Sequence, residues 1–288
     1  MSDSVVVLEA PAKLNLFLRV LAREADGWHG VETLYCRVGL ADGLRLERRD
    51  GGKVSLEVSG ADTGPVGENL AVRAAEMVLG ATGRKFGLHL ALTKRVPVRA
   101  GLGGGSSDAA AALRGANQLT GNAVPTHEIL QFGARLGSDV PFFLSGGSLA
   151  LAWGHGERML SLPPLPPHPA LLVIPLIGVS TPEAYALIDE GRLTGTRRGA
   201  VALDLEALRT WGGIGRLSGN DFESPVFGRH PEIRAAFERL AGTNPLICRM
   251  TGSGSALFAV YRSTGDRDDA ASQLGRKYGQ VIPTTAGC

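Results

Sequence analysis

Between Pro97 and Leu113 the chain reads PVRAGLGGGSSDAAAAL, and no other stretch limits its fold and chemistry so tightly. Four glycines in five positions, Gly101, Gly103, Gly104 and Gly105, run into Ser106, Ser107, Asp108 and an alanine-rich helix pattern. Glycine reaches positive φ without steric cost, so such a loop can turn several backbone N–H groups towards one point. A helix expected to start near Ser106 would add the positive end of its dipole, equivalent to roughly half an elementary charge. Loop and dipole together form a receptor for phosphate groups. The plainer alternative is a glycine turn that caps a helix through Ser106 or Ser107. An ordinary cap needs one small residue rather than a run of glycines, so the chain is expected to handle a nucleotide.

Two familiar phosphate loops are excluded. There is no GxxxxGK[ST], because the lysine that reaches the outer phosphates is missing. The dinucleotide pattern GxGxxG fails as well, since its last glycine would fall on Ser106.

A chain of 288 residues holds one large domain or two of ordinary size. Thirty basic and 28 acidic residues leave a net charge of +2, which gives no electrostatic footprint for general nucleic-acid binding. Cys36, Cys248 and Cys288 are far apart and form no CxxC, so neither a zinc site nor a disulfide framework is suggested. The beginning, MSDSVVVLEAPAK, lacks the basic and apolar regions of a signal peptide. The most apolar segment, Ala170 to Val179, is short and broken by Pro175, so no membrane span is expected. The cytoplasm is the simplest address.

Strand patterns occupy Val5–Glu9, Leu14–Leu21, Leu44–Arg48 and Val54–Val58, and Phe86–Thr93 alternates Phe86, Leu88, Leu90 and Leu92 into the glycine loop. A helix opens at Glu68-Asn69-Leu70, and two more are expected at Ser106–Leu119 and Thr126–Leu136. The run LPPLPPHP at Leu162–Pro169 can neither continue a helix nor sit in a central strand, and marks an expected junction between residues 1–162 and 163–288. Beyond it the pattern predicts strands at Ala170–Ile174, Leu246–Met250 and Ala256–Tyr261, and helices at Pro182–Glu190, Leu203–Trp211 and Pro231–Leu240. A second glycine–serine turn, Thr251 to Ser255, joins the last two strands.

Three segments whose glycine or polar character interrupts apolar strands invite a shared cleft: PAKLNL at residues 11–16, the glycine loop, and Met250 to Ala256. PAKLNL, GLGGGSSDAA and TGSGSA resemble the three motifs of the GHMP kinases, the superfamily of galactokinase, homoserine kinase, mevalonate kinase and phosphomevalonate kinase. Longer matches, PAKLNLFLRVLAREADGWHGVETL, ENLAVRAA, LGSDVPFFLSGG and RMTGSGSALFA, are similar to the 4-diphosphocytidyl-2-C-methyl-D-erythritol kinase family over nearly the whole chain. The resemblance implies an α+β, two-lobed GHMP kinase fold. Its mixed sheets carry helices on one face, and the active site lies in the cleft between lobes. It also implies ATP and Mg2+ as cofactors and a small-molecule substrate, a cytidine-diphosphate-linked methylerythritol phosphorylated on its 2-hydroxyl. Neither nucleic acid nor membrane is implied, and the assembly is a monomer or homodimer.

Residue by residue, the family's catalytic pair falls on Lys13 and Asp139. The aspartate would accept the hydroxyl proton, and the lysine would offset charge developing in transfer. Without the resemblance, the plainer readings prevail: Asp139 as an N-cap before Pro141, and Lys13 as a solvated surface lysine. ATP would be wrapped by Pro97, Ala100, Gly101, Leu102, Gly103, Gly104, Gly105, Ser106 and Ser107. Asn69 and Lys94 match positions near the nucleoside, where a helix cap and a surface charge are the plainer readings. Asp108 either points outward as a capping acid or faces the metal, whose ligands the sequence leaves open. Asp26-Gly27-Trp28-His29 matches the element that reads cytosine, with Trp28 where the family more often has tyrosine. His29 can donate and accept at a base edge. Tyr185 would stack on the base from the other side, or serve as a core residue of its helix. Asn15, Thr181, Gly252, Ser253 and Gly254 complete the implied substrate site. Two competing readings are another small-molecule kinase of the superfamily, of the mevalonate or isoprenoid-alcohol type, and a catalytically silent nucleotide-binding module.

Overall fold

In the computed structural model, which describes residues 4–25, 27–193 and 204–288, two unusually long strands form the frame. Strand β1 (Val5–Arg23) and strand β2 (His29–Arg49) run antiparallel as one hairpin. The two segments expected at Val5–Glu9 and Leu14–Leu21 are therefore one strand, and Leu44–Arg48 is only the end of a longer one. Pro11 and Lys13 do not interrupt β1. Register shifts at Pro11/Lys13 and Asn15/Phe17 absorb them as bulges, which re-aim side chains without ending the strand.

The remaining elements build on this hairpin. Strand β3 (Val54–Gly60) pairs in parallel with β4 (Gly87–Lys94), and β4 pairs antiparallel with β2. Further along the same edge of β2, at residues 31–36, comes β5 (Leu149–Gly154), which pairs in turn with β6 (Arg158–Ser161). Strands β7 (His168–Ile174), β8 (Ile247–Met250), β9 (Leu257–Val260) and β10 (Gln280–Ala286) continue the order β2-β10-β7-β9-β8. The proline run reaches into this sheet. His168 and Pro169 belong to β7, at the strand start where a missing N–H is tolerated.

Helices α1 (Leu70–Ala81), α2 (Gly104–Leu119), α3 (Thr126–Leu136) and α4 (Val140–Leu144) pack on the first half of the sheet. Helices α5 (Thr181–Leu193), α6 (Trp211–Leu217), α7 (Glu223–Arg229), α8 (Pro231–Ala241) and α9 (Thr264–Leu274) follow. The helix expected at Leu203–Trp211 is corrected. A single 3-10 turn at Ala207–Arg209 is followed by α6, whose cap Thr210 accepts from Gly213 N at 3.1 Å. Leu203 lies outside the described residues. Strands β5, β6 and β10 and helices α4, α7 and α9 had no counterpart in the sequence reading.

Helix α2 starts at Gly104, two residues before the expected Ser106, because Gly103 takes the left-handed conformation at φ 70° and no side chain caps the end. The serines are thus inside the helix and free of capping duty. Ala109 to Ala112 are buried on all sides, and small side chains let the helix lie close against β1, β2 and α1. A central core of Leu14, Leu16, Phe17, Leu34, Leu102, Leu172 and Phe258 joins the first strands to the glycine loop and to the last third of the chain. Each such side chain contributes about 1.5–3 kcal/mol when fully buried, before the entropy of ordering is counted. This core holds three remote segments in one place. Among the described residues no helix is long and apolar enough to cross a membrane.

Candidate active site

The three motifs meet through main-chain and hydroxyl contacts. Lys13 N donates to Leu102 O at 2.9 Å, and Ala256 N donates to Ala100 O at 3.3 Å, so both other motifs bond the glycine loop directly. Asn15 N donates to Thr251 Oγ1 at 3.0 Å. Gly101 lies so close to the third motif that a Cβ there would stand 2.3 Å from Thr251 O, and its φ of 78° excludes a side chain on separate grounds. The first turn of α2 leaves its leading amides unbonded within the helix, since the first bond there is Ser107 N to Gly103 O at 2.9 Å. Gly101, Gly103 and Ser106 line a cleft of about 290 Å³, which also takes in Lys13, Asn15, Asp139 and the substrate candidates Thr181, Gly252 and Ser253. Gly254 is buried and outside the lining, and Gly105 is exposed at the start of α2. Pro97 is half-buried, and with Ala100 and Leu102 it supports the loop from outside the cleft.

Lys13 and Asp139 come from strand β1 and the turn before α4, and meet at 3.4 Å between Nζ and Oδ2. The lysine is almost fully buried and its stem lies against Gly103, where a Cβ would be 3.0 Å from Lys13 Cγ. Its ammonium donates to Asn15 Oδ1 at 2.6 Å and lies 5.4 Å from the Tyr35 ring centre. Asp139 makes no cap bond to α4, although it occupies the cap position. Its Oδ1 instead accepts from Tyr35 Oη at 2.8 Å. Burial, followed by the Asp139 charge, holds the Tyr35 phenol well above its usual range, so it stays a donor. Asn15 Nδ2 donates to Thr33 Oγ1 at 2.7 Å, which leaves the amide engaged on both sides in orienting Lys13.

Behind the glycine loop a second charged cluster is closed off from the cleft. Lys94 Nζ bonds both Asp42 Oδ2 and Asp108 Oδ2, the latter at 2.8 Å, and all three side chains are buried. Lys94 is neither a surface charge nor turned to the cleft. Asp108 neither caps α2 outward nor faces the cleft. Burial pushes the Asp108 carboxyl up to about 7, against the pull of Lys94. Asp42 Oδ1 accepts from Arg95 N (2.5 Å) and Val96 N (2.8 Å), so it pins the segment entering the loop. Asn69 caps α1, accepting from Ala71 N at 3.0 Å.

At the far end of the cleft the aromatic residues pair with histidines. Trp28, 62% exposed, stacks on His155 with centroids 5.6 Å apart. His29 stacks on Tyr185 at 4.9 Å, and its Nε2 lies 2.7 Å from Asp189 Oδ1. One of the two ring nitrogens is therefore already committed. Thr181 Oγ1 and Ser253 Oγ are 3.1 Å apart, which ties the start of α5 to the third motif. Asn220 donates to Met250 O and Gly252 O, each at 2.8 Å, and fixes the same turn from below. Asp26 lies outside the described residues.

Sequence reasoning missed Tyr35, Thr33, Asp42, His155, Asp189 and Asn220. Tyr35 and Thr33 reach the cleft through the cross-strand register Tyr35↔Asn15 and Thr33↔Leu18, a signal that exists only once β1 and β2 are aligned.

Residues 69–147 match the GHMP kinases N terminal domain, and residues 203–280 match the GHMP kinases C terminal domain. A protein of Solibacter usitatus named 4-diphosphocytidyl-2-C-methyl-D-erythritol kinase is 40% identical over 93% of this chain and 85% of its own. One of the same name from Pelotomaculum thermopropionicum is 37% identical over 97% of each chain. A crystal structure of a 4-(cytidine 5'-diphospho)-2C-methyl-D-erythritol kinase superposes with a TM-score of 0.82 at 35% identity, covering 98% of this chain and all of that one.

Proposed function

The chain belongs to the 4-diphosphocytidyl-2-C-methyl-D-erythritol kinases, within the GHMP kinases, and from that premise we propose how its residues carry out the transfer of a phosphoryl group from ATP to the 2-hydroxyl of the cytidine-diphosphate-linked methylerythritol. The chain is a small-molecule kinase of the non-mevalonate route to isoprenoid precursors. One observation carries the reading of its site: the ammonium of Lys13 and the carboxylate of Asp139, 3.4 Å apart, share a cleft with the glycine loop.

In this reading the leading amides of α2 and the loop from Gly101 to Ser107 grip the triphosphate, with the helix dipole behind them. The alcohol sits between the loop and Asp139. Oδ2 takes its proton while Lys13 offsets the charge that develops in the loose transition state. Tyr35 holds Oδ1, which fixes the carboxylate plane and directs the other oxygen at the substrate. Asn15 holds Lys13 rather than touching the polyol, because both ends of its amide are engaged within the protein. Lys94 and Asp108 support the loop from behind.

Magnesium fits as an ion carried by the phosphates. Among the described residues no three His, Cys, Asp or Glu side chains gather as a metal cage, whereas the Ser106 side chain lines the cleft beside the loop. Ser106 would supply one oxygen and the triphosphate several more, as is usual for this cation. When bound, the ion neutralises phosphate charge. Residues 1–162 would furnish the nucleotide grip and the Lys13–Asp139 pair, and residues 163–288 Tyr185, Thr181 and the Gly252–Ser253 turn. The enzyme acts in the cytoplasm, as a monomer or homodimer, without nucleic acid or membrane. A coupled assay of ADP release tests the assignment with two acceptors. Turnover with 4-diphosphocytidyl-2-C-methylerythritol and far less with mevalonate is expected, and a preference for mevalonate would reject it.

A further inference from the structure

Helix α5 grips one imidazole twice. Tyr185 stacks on His29 with 21° between the rings, and Asp189, one turn further along α5, sets Oδ1 at 2.7 Å from His29 Nε2. A carboxylate can only accept, so Nε2 carries the hydrogen and donates it. His29 is buried and lines the cleft, while Asp189 stands behind it, outside the lining. Nδ1 has no hydrogen-bond partner among the described residues. In a neutral ring with hydrogen on Nε2, that atom is an acceptor. Arg23 Nη1 lies 3.6 Å from Asp189 Oδ2, on the carboxylate's other oxygen.

We propose that Asp189 is a positioning residue that sets the choice of base: by taking the Nε2–H of His29 it presents Nδ1 as an acceptor to the exocyclic amine of cytosine. Uracil has a carbonyl oxygen at that place, and two acceptors facing each other leave both desolvated and unpaired. The inference rests on reading the cleft as the site of a cytidine-diphosphate-linked alcohol, and deepens it by naming the source of base selectivity. A purely structural Asp189 would instead latch the β1–β2 hairpin to α5 and treat both bases alike.

The test compares 4-diphosphocytidyl-2-C-methylerythritol with its uridine counterpart in wild type, His29→Ala, Asp189→Ala and Asp189→Asn. The wild type is expected to prefer the cytidine substrate. In Asp189→Ala its KM should rise roughly tenfold with kcat within about twofold and the uridine KM unmoved, the loss of one hydrogen bond to a charged group. Asp189→Asn should fall between, since its amide oxygen can still accept. An exchange-protected imidazole Nε2–H signal, assigned by its loss in His29→Ala, should also vanish from NMR spectra of Asp189→Ala. If His29→Ala loses base selectivity while both Asp189 variants keep it, the role of Asp189 is overturned and the reading of the site stands. A wild type indifferent to the base overturns both.

Discussion

Tyr35 and Asp139 illustrate how single side chains gain meaning from their neighbours. The phenol of Tyr35 donates to one carboxylate oxygen at 2.8 Å, and the Lys13 ammonium stands 3.4 Å from the other. Tyr35→Phe should therefore lower kcat about tenfold with little change in the KM for ATP, measured by steady-state kinetics, because it frees the carboxylate plane without touching the glycine loop. Asp108 makes a prediction about stability instead. Its folded value is raised to about 7 from 3.8, so the folded chain binds a proton there more tightly than the unfolded chain. The stabilisation tied to that proton is complete below pH about 4 and is lost as pH rises through about 7. Asp108→Asn should flatten this decline, and urea midpoints at a series of pH values would show it. An unaltered pH profile would mean that Asp108 stays ionised beside Lys94. Asp108 and Lys94 were legible as motif members, but not as a buried pair, because their third partner Asp42 lies 52 residues before Lys94, within strand β2.

At the scale of elements, the glycine loop was the most legible part of the chain. Its composition pointed to a turn that only glycine can make, and the structure shows why Gly101 admits nothing larger: a Cβ would stand 2.3 Å from Thr251 O. Gly101→Ala is expected to cost about 1–3 kcal/mol of backbone strain and to part the loop from the third motif. The KM for ATP should rise more than kcat falls, and a binding titration with ATP alone checks it. Strand β1 was read as two pieces because Pro11 and Lys13 break an apolar alternation. Period-two patterns carry no mark for bulges, and it is the bulges at Pro11/Lys13 and Asn15/Phe17 that accompany the inward course of Lys13 and Asn15. The helix expected at Leu203–Trp211 failed for a related reason: the cap at Thr210 starts a fresh helix where periodicity alone suggested an end.

For the whole molecule, the central core is what makes a site out of distant segments. Phe17 from β1, Leu102 from the loop, Leu172 from β7 and Phe258 from β9 share one buried cluster. Phe258→Ala should destabilise the protein by about 3–5 kcal/mol, and the loss should appear in a single unfolding transition that also abolishes activity. Two separate transitions by fluorescence and circular dichroism would show that the halves do not depend on this core. The sequence pointed to a shared cleft through its three interrupted motifs, but strand order, and with it the neighbours of Lys13, becomes visible only when β2 is seen to pair with β1, β4 and β5 together. The central claim is that Asp139 acts as the base in that cleft, held by Tyr35 and Lys13. Turnover by Asp139→Asn in the ADP-release assay, with ATP affinity measured alongside, addresses it most directly. A fall of about 10²–10⁴-fold in kcat with ATP binding preserved is predicted, and turnover equal to wild type would contradict it.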